Sequence, residues 1–267
     1  MTQSALETRL RELGSVLVAY SGGVDSTYLA WAAHRALGPR SLAAIADSAS
    51  LPRSELDEAL QVARDAGFPV EIVRTDEFER EEYVRNAADR CFHCKEALFD
   101  QLFPLAAERD LDHVALGTVT DDLGDVRPGL VSAKRRGAKQ PLLDAGLSKL
   151  DVRAFAREAG LPVWDKPQAA CLSSRIPHGT AVTHEALQAV ERAEEAVRSL
   201  GFSLVRVRHL GETARVEVEP DEVARLLDEP MRTAVTDAVL AAGYQKVVLD
   251  ERGYKRGGAE LPILKSS

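Results

Sequence analysis

The amino-acid sequence predicts an α/β protein, with a doubly wound parallel sheet followed by a smaller α+β domain. Short apolar strand patterns alternate with amphipathic helical patterns over the first two thirds of the chain, which is typical of parallel sheets covered by helices on both faces. Near residue 178 the pattern changes to a long helix followed by two strictly alternating strands. We therefore expect two domains, residues 1–178 and 179–267.

The first predicted strand and helix flank a glycine turn. In VLVAYSGGVDST (Val16–Thr27), β-prone residues lead into a glycine pair, and helical spacing begins at Ser26 and ends near Gly38. Ahead of them, residues 1–14 alternate charge and leucine as an amphipathic helix does. The elements that follow are the strands Ser41–Asp47, Val70–Thr75 and His113–Thr118, and the helices Ser54–Gly67, CFHCK to about Arg109, and Ser148–Gly160.

Two stretches rich in glycine, proline and charge interrupt this alternation, Asp121–Ser148 and Asp165–Thr180. Their composition is typical of functional or mobile connections rather than of core. The first stretch contains the basic run KRRGAK (Lys134–Lys139). This run would contact the phosphates of a nucleotide, or would form an exposed basic loop without a ligand.

The second domain is expected to contain a long helix over Thr183–Gly201, two antiparallel strands (SLVRVRHL and ARVEVE), one or two helices within Asp221–Gly243, and a last strand, KVVLDE. Strand alternation places Arg206 and Arg208 on one face. Two adjacent guanidinium groups can bind a phosphate. The alternative is cross-strand pairing with Glu217 or Glu219.

Composition limits the function classes. The 267-residue chain has a net charge of −8, which argues against a protein that holds duplex nucleic acid by general electrostatics. No apolar stretch reaches membrane-spanning length, and the N-terminus lacks the hydrophobic centre of a signal peptide. We therefore expect a cytoplasmic protein that binds neither nucleic acid nor membrane.

The glycine turn has the chemistry of an anion site. A strand that ends in glycines before a helix presents backbone N–H groups and the positive end of the helix dipole at one point. Hydroxyl groups add donors, and Asp25 supplies an oxygen ligand for Mg²⁺. A tight turn without a ligand is the alternative. The residues assigned to nucleotide binding here are Ser21, Gly22, Gly23, Val24, Asp25, Ser26 and Thr27. The turn lacks the lysine of G-x-x-x-x-G-K-[ST], which argues against a P-loop.

Acidic residues follow two other predicted strands. Asp47 ends the second strand and is expected near the adenosine of a bound nucleotide. Asp121 and Asp122 follow the fourth strand, at the carboxyl edge where open α/β sheets bind ligands. They would bind nucleotide or orient the loop that contains the third cysteine. Solvated turn formers are the alternative for this acidic pair.

The three cysteines, Cys91, Cys94 and Cys171, fit metal ligands or catalysis better than a disulfide framework. Cys91 and Cys94 lie at the predicted start of a helix, where the dipole and nearby cations favour thiolates. Three thiolates could hold a [4Fe-4S] cluster with one open iron. Buried inert thiols, a redox CxxC pair, and a zinc site completed by His93 or His178 are the alternatives.

Several segments together resemble one family. The segment SGGVDS resembles the PP-loop of the adenine-nucleotide α-hydrolases. SGGVDST, DRCFHCKEALF, GTVTDDLGDVRPGL, PLLDAGLSK, LPVWDKPQAACLSSRIPHG and VRVRHLG resemble the LarE sulfur transferases, from about Val16 to Tyr254. The resemblance implies a Rossmann-like PP-loop domain and a homo-oligomer, trimeric or hexameric. It also implies that MgATP adenylates a carboxylate of pyridinium-3,5-biscarboxylic acid mononucleotide, and that sulfur then replaces the oxygen. The thiocarboxylate product belongs to the synthesis of the nickel-pincer nucleotide cofactor of lactate racemase.

The family carries out the sulfur step in two ways. In one, a catalytic cysteine equivalent to Cys171 surrenders its own sulfur and becomes dehydroalanine. In the other, three cysteines hold a [4Fe-4S] cluster that delivers an extra sulfide. Because this chain has CFHC as well as Cys171, we favour the cluster, with Cys91, Cys94 and Cys171 as its ligands.

The resemblance also assigns Arg206 and Arg208 to the substrate phosphate, and we place Arg175, beside Cys171, among the cofactor-binding residues. The rival interpretations are a tRNA thiolase, an amide-forming synthetase of the PP-loop class, and a non-catalytic nucleotide-binding module. Each rival shares the predicted fold, so the glycine turn alone does not separate them.

Overall fold

The computed structural model of the chain describes residues 3–124, 128–168 and 170–255. These residues form two compact units, one within Met1–Arg80 and Asp89–Ala169 and the other within Glu81–Ala88 and Ala170–Ser267. No helix in the described ranges combines the length and the apolar character needed to cross a bilayer.

The larger unit is built on a four-stranded parallel sheet in the order β3-β2-β1-β4. Its strands are β1 (Val16–Tyr20), β2 (Ser41–Asp47), β3 (Val70–Arg74) and β4 (His113–Ala115). Its helices are α1 (Gln3–Leu13), α2 (Val24–Leu37), α3 (Arg53–Ala66), α5 (Arg90–Glu108), α6 (Pro128–Arg136), α7 (Pro141–Asp144) and α8 (Lys149–Glu158). The predicted α/β class and parallel sheet are confirmed.

Helices cover both faces of this sheet. Successive residues of β1 point to opposite faces, so each face contributes side chains to its own buried cluster. Val16, Val18 and Tyr20 belong to one buried cluster, which includes residues of α1, α2, α3 and α8. Leu17 and Ala19 belong to another, which includes residues of α5 and α6. A five-residue strand that is buried throughout therefore has no alternating pattern, and its continuous apolar run is what a central parallel strand requires.

The smaller unit has a three-stranded sheet in the order β5-β6-β7. Its elements are α4 (Glu81–Val84), α9 (His184–Ser199), β5 (Val205–Leu210), β6 (Thr213–Val218), α10 (Val223–Leu227), α11 (Met231–Ala241) and β7 (Lys246–Leu249). β5 and β6 are antiparallel, as predicted, and β7 pairs parallel to β6. Valines on one face of β5 and β6 form the core with α9 and α11.

The segment Glu81–Ala88 clusters with the C-terminal part of the chain. The Tyr83 hydroxyl lies 2.7 Å from that of Ser173, and the Asn86 side chain donates to the carbonyl oxygens of Pro177 and Thr180, both at 2.9 Å. These hydrogen bonds join residues some ninety positions apart in the sequence, so no local sequence pattern predicts them. The expected domains 1–178 and 179–267 stay a prediction.

The interpretation of Asp121–Ser148 as a functional or mobile connection rather than core is wrong in placing it outside the core for most of its length. It contains a 3₁₀ turn (Thr120–Gly124), α6 and α7, and Ala133, Leu142 and Leu147 are fully buried. Its prolines lie in the first turns of helices, where a missing N–H costs nothing. Asp125–Arg127 lie outside the described residues, as does Ala169 in the second such stretch.

Candidate active site

The glycine turn between β1 and α2 is held tightly. Gly22 has φ +71°, and a Cβ atom there would lie 2.7 Å from the Cβ of Ala59. Gly23 is the N-cap of α2 and supplies no capping side chain. The start of α2 therefore keeps its N–H donors and positive dipole end for an anion, as the sequence predicts.

The hydroxyl groups of this turn bond mainly to one another and to backbone. The hydroxyl of Ser26 lies 3.0 Å from that of Ser21 and donates to the Gly23 carbonyl oxygen at 3.1 Å. Thr27 donates to the same carbonyl oxygen at 2.8 Å. Ser26 and Thr27 are buried and Ser21 is exposed. The loop shape is thus fixed from within, and Ser21 is the hydroxyl best placed to meet a ligand.

Asp25 lies in the first turn of α2 and forms an ion pair with Lys149, the first residue of α8. Its other carboxylate oxygen, Oδ1, is buried and has no hydrogen-bond partner among the described residues. Burial raises the pKa of Asp25, the Asp122 carboxylate adds to the rise, and Lys149 and Arg153 oppose it. An unpartnered carboxylate oxygen at the amino end of α2 fits the predicted Mg²⁺ ligand.

The segment after β4 packs directly against this turn. A Cβ atom at Gly117 would lie 2.9 Å from Asp25 backbone, so only glycine fits there. Four residues further on, Asp121 accepts the backbone N–H of Lys149 at 2.8 Å. Asp121, predicted as a binding residue, thus orients Lys149, whose ammonium group pairs with Asp25 of the glycine turn.

A buried polar group that the sequence did not reveal lies at the carboxyl ends of β2 and β3. The Glu77 carboxylate is 2 % exposed, accepts a hydrogen bond from Ser48, and has one oxygen without a partner among the described residues. Asp47, predicted near the adenosine, forms an ion pair with Arg53 at the same edge. These carboxyl ends therefore present acceptors where open α/β sheets bind nucleotides.

Cys91 and Cys94 lie in the first turns of α5, where i, i+3 spacing puts them on one face. Cys91 is exposed and Cys94 is half-buried. Desolvation lowers the pKa of the neighbouring Lys95, and the negative charges of the Cys94 and Cys91 thiolates oppose that fall. The two sulfur atoms therefore lie at the amino end of α5 beside one lysine ammonium group.

Cys171 lies in the smaller unit, exposed, as the N-cap of a 3₁₀ turn (Leu172–Arg175). Arg175 fixes this turn by donating to the carbonyl oxygens of Ala170 at 2.5 Å and Cys171 at 2.9 Å. Its guanidinium pairs with Glu194 on α9 at 2.7 and 3.0 Å, and neither side chain is more than 2 % exposed. In this arrangement Arg175 holds the cysteine turn, so its expected place among cofactor ligands stays a prediction.

Glu194 is the centre of this buried network. Its carboxylate also accepts the backbone N–H of Val207 at 3.0 Å and the Arg198 guanidinium at 2.7 Å. One side chain therefore ties α9, strand β5 and the cysteine turn together. The sequence did not reveal this role of Glu194, because the residue lies nineteen positions from Arg175 on an ordinary amphipathic helix.

Arg206 and Arg208 occupy the face of β5 that the sequence predicts, and both are less than 10 % exposed. Arg208 pairs with Glu217 of β6 at 2.9 Å and donates to the Ser174 carbonyl oxygen at 3.1 Å. Cross-strand pairing, the alternative to phosphate binding, thus accounts for the position of Arg208. Arg206 stacks over Tyr254 at 5.5 Å, and burial with the nearby Arg175 charge lowers the pKa of its guanidinium.

The basic run Lys134–Lys139 lies at the end of α6 and just after it. Arg136 pairs with Glu96 and Asp100 of α5, and Lys139 extends the edge of β4 through its backbone. Lys134 and Arg135 are exposed. Part of the run therefore packs α6 on α5, and its contact with a nucleotide stays a prediction.

No group of three or more histidine, cysteine, aspartate or glutamate side chains forms a metal site within the residues that the structure describes. Cys91 and Cys94 belong to the larger unit and Cys171 to the smaller, and none is in a disulfide. The sulfur ligands suit iron. Their assembly around one cluster stays a prediction.

Comparisons with known proteins find relatives along the whole chain. Pyridinium-3,5-bisthiocarboxylic acid mononucleotide synthase of Lactiplantibacillus plantarum is 33% identical over 265 residues, 99% of this chain and 95% of the enzyme. An uncharacterised protein of Synechocystis sp. is 41% identical over 268 residues, 99% of this chain and 100% of the relative. The tRNA-specific 2-thiouridylase of Azorhizobium caulinodans is 31% identical over 193 residues, 57% of this chain and 48% of the relative. The chain matches no protein-family model.

Proposed function

Because the chain belongs to the family of the pyridinium-3,5-bisthiocarboxylic acid mononucleotide synthases, the LarE sulfur transferases, we propose that it makes a thiocarboxylate on a pyridinium mononucleotide. The substrate is pyridinium-3,5-biscarboxylic acid mononucleotide, and the product serves the synthesis of the nickel-pincer nucleotide cofactor. Similarity over the full length to an enzyme named for this bisthiocarboxylic product carries the proposal. The PP-loop at the start of α2 supports an ATP-using mechanism.

In the first step, a carboxylate oxygen of the substrate attacks the α-phosphorus of ATP. The bond from that phosphorus to the bridging oxygen breaks, and pyrophosphate leaves with the electron pair. The N–H groups at the start of α2 hold the phosphates, and Asp25 would hold Mg²⁺ through its unpartnered oxygen. A magnesium ion there supplies charge neutralisation for the leaving pyrophosphate.

Asp25 supports a direct prediction for this step. Asp25→Asn keeps the shape of the side chain but removes the charge that holds a metal ion, so adenylation should slow by about 10²-fold. The measurement is pyrophosphate release in a single turnover, with AMP binding as the reference, since AMP lacks the leaving phosphates. An unchanged rate would remove Asp25 from the proposed mechanism.

In the second step, sulfur displaces AMP from the acyl-adenylate. We propose that Cys91, Cys94 and Cys171 would hold a [4Fe-4S] cluster, which would supply the sulfide that takes the place of AMP on the acyl carbon; AMP leaves with the electron pair of the broken carbon–oxygen bond. The exposure of Cys91 and Cys171, and the position of Cys91 and Cys94 on one face of the start of α5, support this choice. The sacrificial route, which uses the Cys171 sulfur alone, would give Cys91 and Cys94 no role.

Arg206 and Arg208 are proposed to bind the phosphate of the substrate. Their face of β5 is buried, and Arg215 of β6 lies opposite Arg208 as a third guanidinium, whose Nε has no hydrogen-bond partner among the described residues. Glu217 pairs with Arg208 and Arg215, and Asp250 pairs with Arg215 and Arg252, so guanidinium groups outnumber carboxylates in this cluster and positive charge is left for an anion. A homo-oligomer, trimeric or hexameric, is part of the same proposal.

Anaerobic reconstitution with iron and sulfide tests the sulfur source. We expect a broad visible charge-transfer band and about four irons per chain, the content of one cubane cluster. Pyrophosphate release that depends on the biscarboxylated mononucleotide is expected from the apoprotein as well. A colourless protein that still transfers sulfur once per chain would replace the cluster by the sacrificial route. ATP binding without turnover would favour a nucleotide-binding module.

A further inference from the structure

Arg206 is a buried cation, 9 % exposed, that forms no ion pair with a carboxylate among the described residues. The register of β5 and β6 places Glu217 opposite Arg206. The Glu217 carboxylate nevertheless pairs with Arg208 at 2.9 Å and with Arg215 at 3.3 Å. A buried cation without a counterion is costly, so the other contacts of Arg206 determine where its guanidinium group lies.

The aromatic ring of Tyr254 is the main such contact. The Cζ atom of Arg206 lies 5.5 Å from the ring centroid, and that of Arg208 lies 6.0 Å from it. The negative face of an aromatic ring attracts a guanidinium group without using its N–H donors. Arg206 donates one hydrogen bond within the described residues, to the carbonyl oxygen of Val205 at 2.9 Å. Its remaining donors are therefore available to an anion.

The turn after β7 fixes the position of this ring. The backbone N–H of Asp250 donates to the carbonyl oxygen of Val216 at 2.9 Å, and that of Tyr254 donates to the carbonyl oxygen of Val218 at 2.7 Å. Gly253 has φ +68°, and a Cβ atom there would lie 3.0 Å from the Val218 carbonyl oxygen. Both ends of the turn are thus tied to β6, which lies beside the strand that carries the two arginines.

From this geometry we propose that Tyr254 is a positioning residue of the anion site on β5: its ring holds the Arg206 and Arg208 guanidinium groups together, so that both can donate to one phosphate monoester. The inference rests on the assignment of both arginines to the substrate phosphate in the proposed function. Like charges repel each other, and the Val205 carbonyl oxygen is the one other hydrogen-bond partner of Arg206 among the described residues. Loss of the ring therefore lets the Arg206 guanidinium move away from Arg208.

Tyr254→Leu and Tyr254→Phe test this role, because the first removes the ring and the second removes only the hydroxyl group. The probe is ribose 5-phosphate, with the glycine turn occupied by a non-hydrolysable ATP analogue. Its affinity should fall about five- to thirtyfold in Tyr254→Leu and change less than about twofold in Tyr254→Phe. Tyr254→Gln is a second variant without the ring and should show the same loss as Tyr254→Leu.

The substrate provides a second measurement. The biscarboxylated mononucleotide should lose affinity in Tyr254→Leu as ribose 5-phosphate does, whereas its dephosphorylated nucleoside should bind equally to the variant and to the unchanged protein. In turnover, KM for the mononucleotide should rise while kcat stays within about twofold, because the phosphate takes no part in the bond changes. A general structural defect would weaken the binding of both compounds.

Phe202→Leu is the matched control, because the Cζ atom of Arg225 lies 4.5 Å from the Phe202 ring centroid in the same unit. Phe202 is buried, so this variant loses an arginine–aromatic contact and some stability away from β5, and it should bind ribose 5-phosphate as the unchanged protein does. Equal affinities in Tyr254→Leu and the unchanged protein would overturn the inference. A loss in Tyr254→Phe as large as in Tyr254→Leu would overturn it too, because the hydroxyl group would then be responsible.

The same experiments separate this inference from the function on which it rests. If the unchanged protein releases no pyrophosphate with the biscarboxylated mononucleotide, the proposed function fails. The ribose 5-phosphate comparison between Tyr254→Leu and Tyr254→Phe still decides the role of the ring.

Discussion

Replacement of Cys171 by alanine is expected to abolish sulfur transfer while leaving ATP binding and pyrophosphate release intact. Both versions of the sulfur step need this sulfur atom, either as a cluster ligand or as the donor. The side chain is exposed and the turn around it is held by Arg175 and Arg208 through backbone carbonyl oxygens. The substitution should therefore change the free energy of unfolding by no more than about 0.5 kcal/mol.

Mass spectrometry of the thiocarboxylate product, together with pyrophosphate release, checks this prediction. Full transfer activity in Cys171→Ala would remove the cysteine from the mechanism. Cys91→Ala and Cys94→Ala separate the two sulfur sources: the cluster requires that both variants lose iron and transfer, whereas the sacrificial route tolerates both. Retained iron with lost transfer would instead place these thiols elsewhere in the reaction.

Glu194→Ala is expected to destabilise the smaller unit by about 3–5 kcal/mol, the usual cost of leaving one partner of a buried ion pair alone. The carboxylate is fully buried, and its removal strands Arg175 and the backbone N–H of Val207. Urea unfolding followed by circular dichroism measures the change. The neighbouring Glu195 is exposed on the same helix, so Glu195→Ala should change stability by less than about 0.5 kcal/mol.

A paired substitution distinguishes the lost charge balance from the lost volume. Arg175→Met combined with Glu194→Leu removes both charges together, so it should recover much of the stability that Glu194→Ala loses. If the double variant is as unstable as the single one, the network stabilises the fold through its backbone bonds rather than through the ion pair. Alkylation of Cys171 in both variants then reports whether the turn keeps its shape.

The elements that the sequence predicted well are those whose signals are local. The strand, turn and helix of Val16–Thr27 follow from a continuous apolar run, a glycine pair and a helical pattern, and the structure has all three there, with α2 beginning at Val24 rather than Ser26. The antiparallel pair β5 and β6 followed equally from alternation. In these segments the backbone conformation depends on neighbours within a few residues, so the residues themselves determine it.

The prolines and glycines of Asp121–Ser148 led to the wrong interpretation of this segment. Pro128 and Pro141 begin helices, and Gly137 and Gly146 end them with φ of +73° and +68°. Short helices separated by such residues have the composition of a loop. The sequence shows the ends of these helices more strongly than their interiors, because the buried face of α6 depends on contacts with α5 and that of α7 on contacts with α1.

Contacts between residues distant in the sequence could not be predicted, for a different reason. Asp25 was identified as a site residue, but its ion pair with Lys149 joins residues 124 positions apart. Arg175 was placed among cofactor ligands because it follows Cys171. Its ion pair with Glu194 of α9 could not be predicted from the sequence. Local patterns reveal which side chains are charged, and the tertiary fold determines which of them meet.

The placement of Glu81–Ala88 in the smaller unit sets an order for folding during synthesis on the ribosome. The partners of Asn86, the carbonyl groups of Pro177 and Thr180, follow it by 91 and 94 residues. At about 5–20 residues per second, this segment waits roughly 5–20 seconds for them. During that interval the Tyr83 hydroxyl also lacks its partner Ser173, so the segment reaches its native hydrogen bonds only after two thirds of the chain has been made.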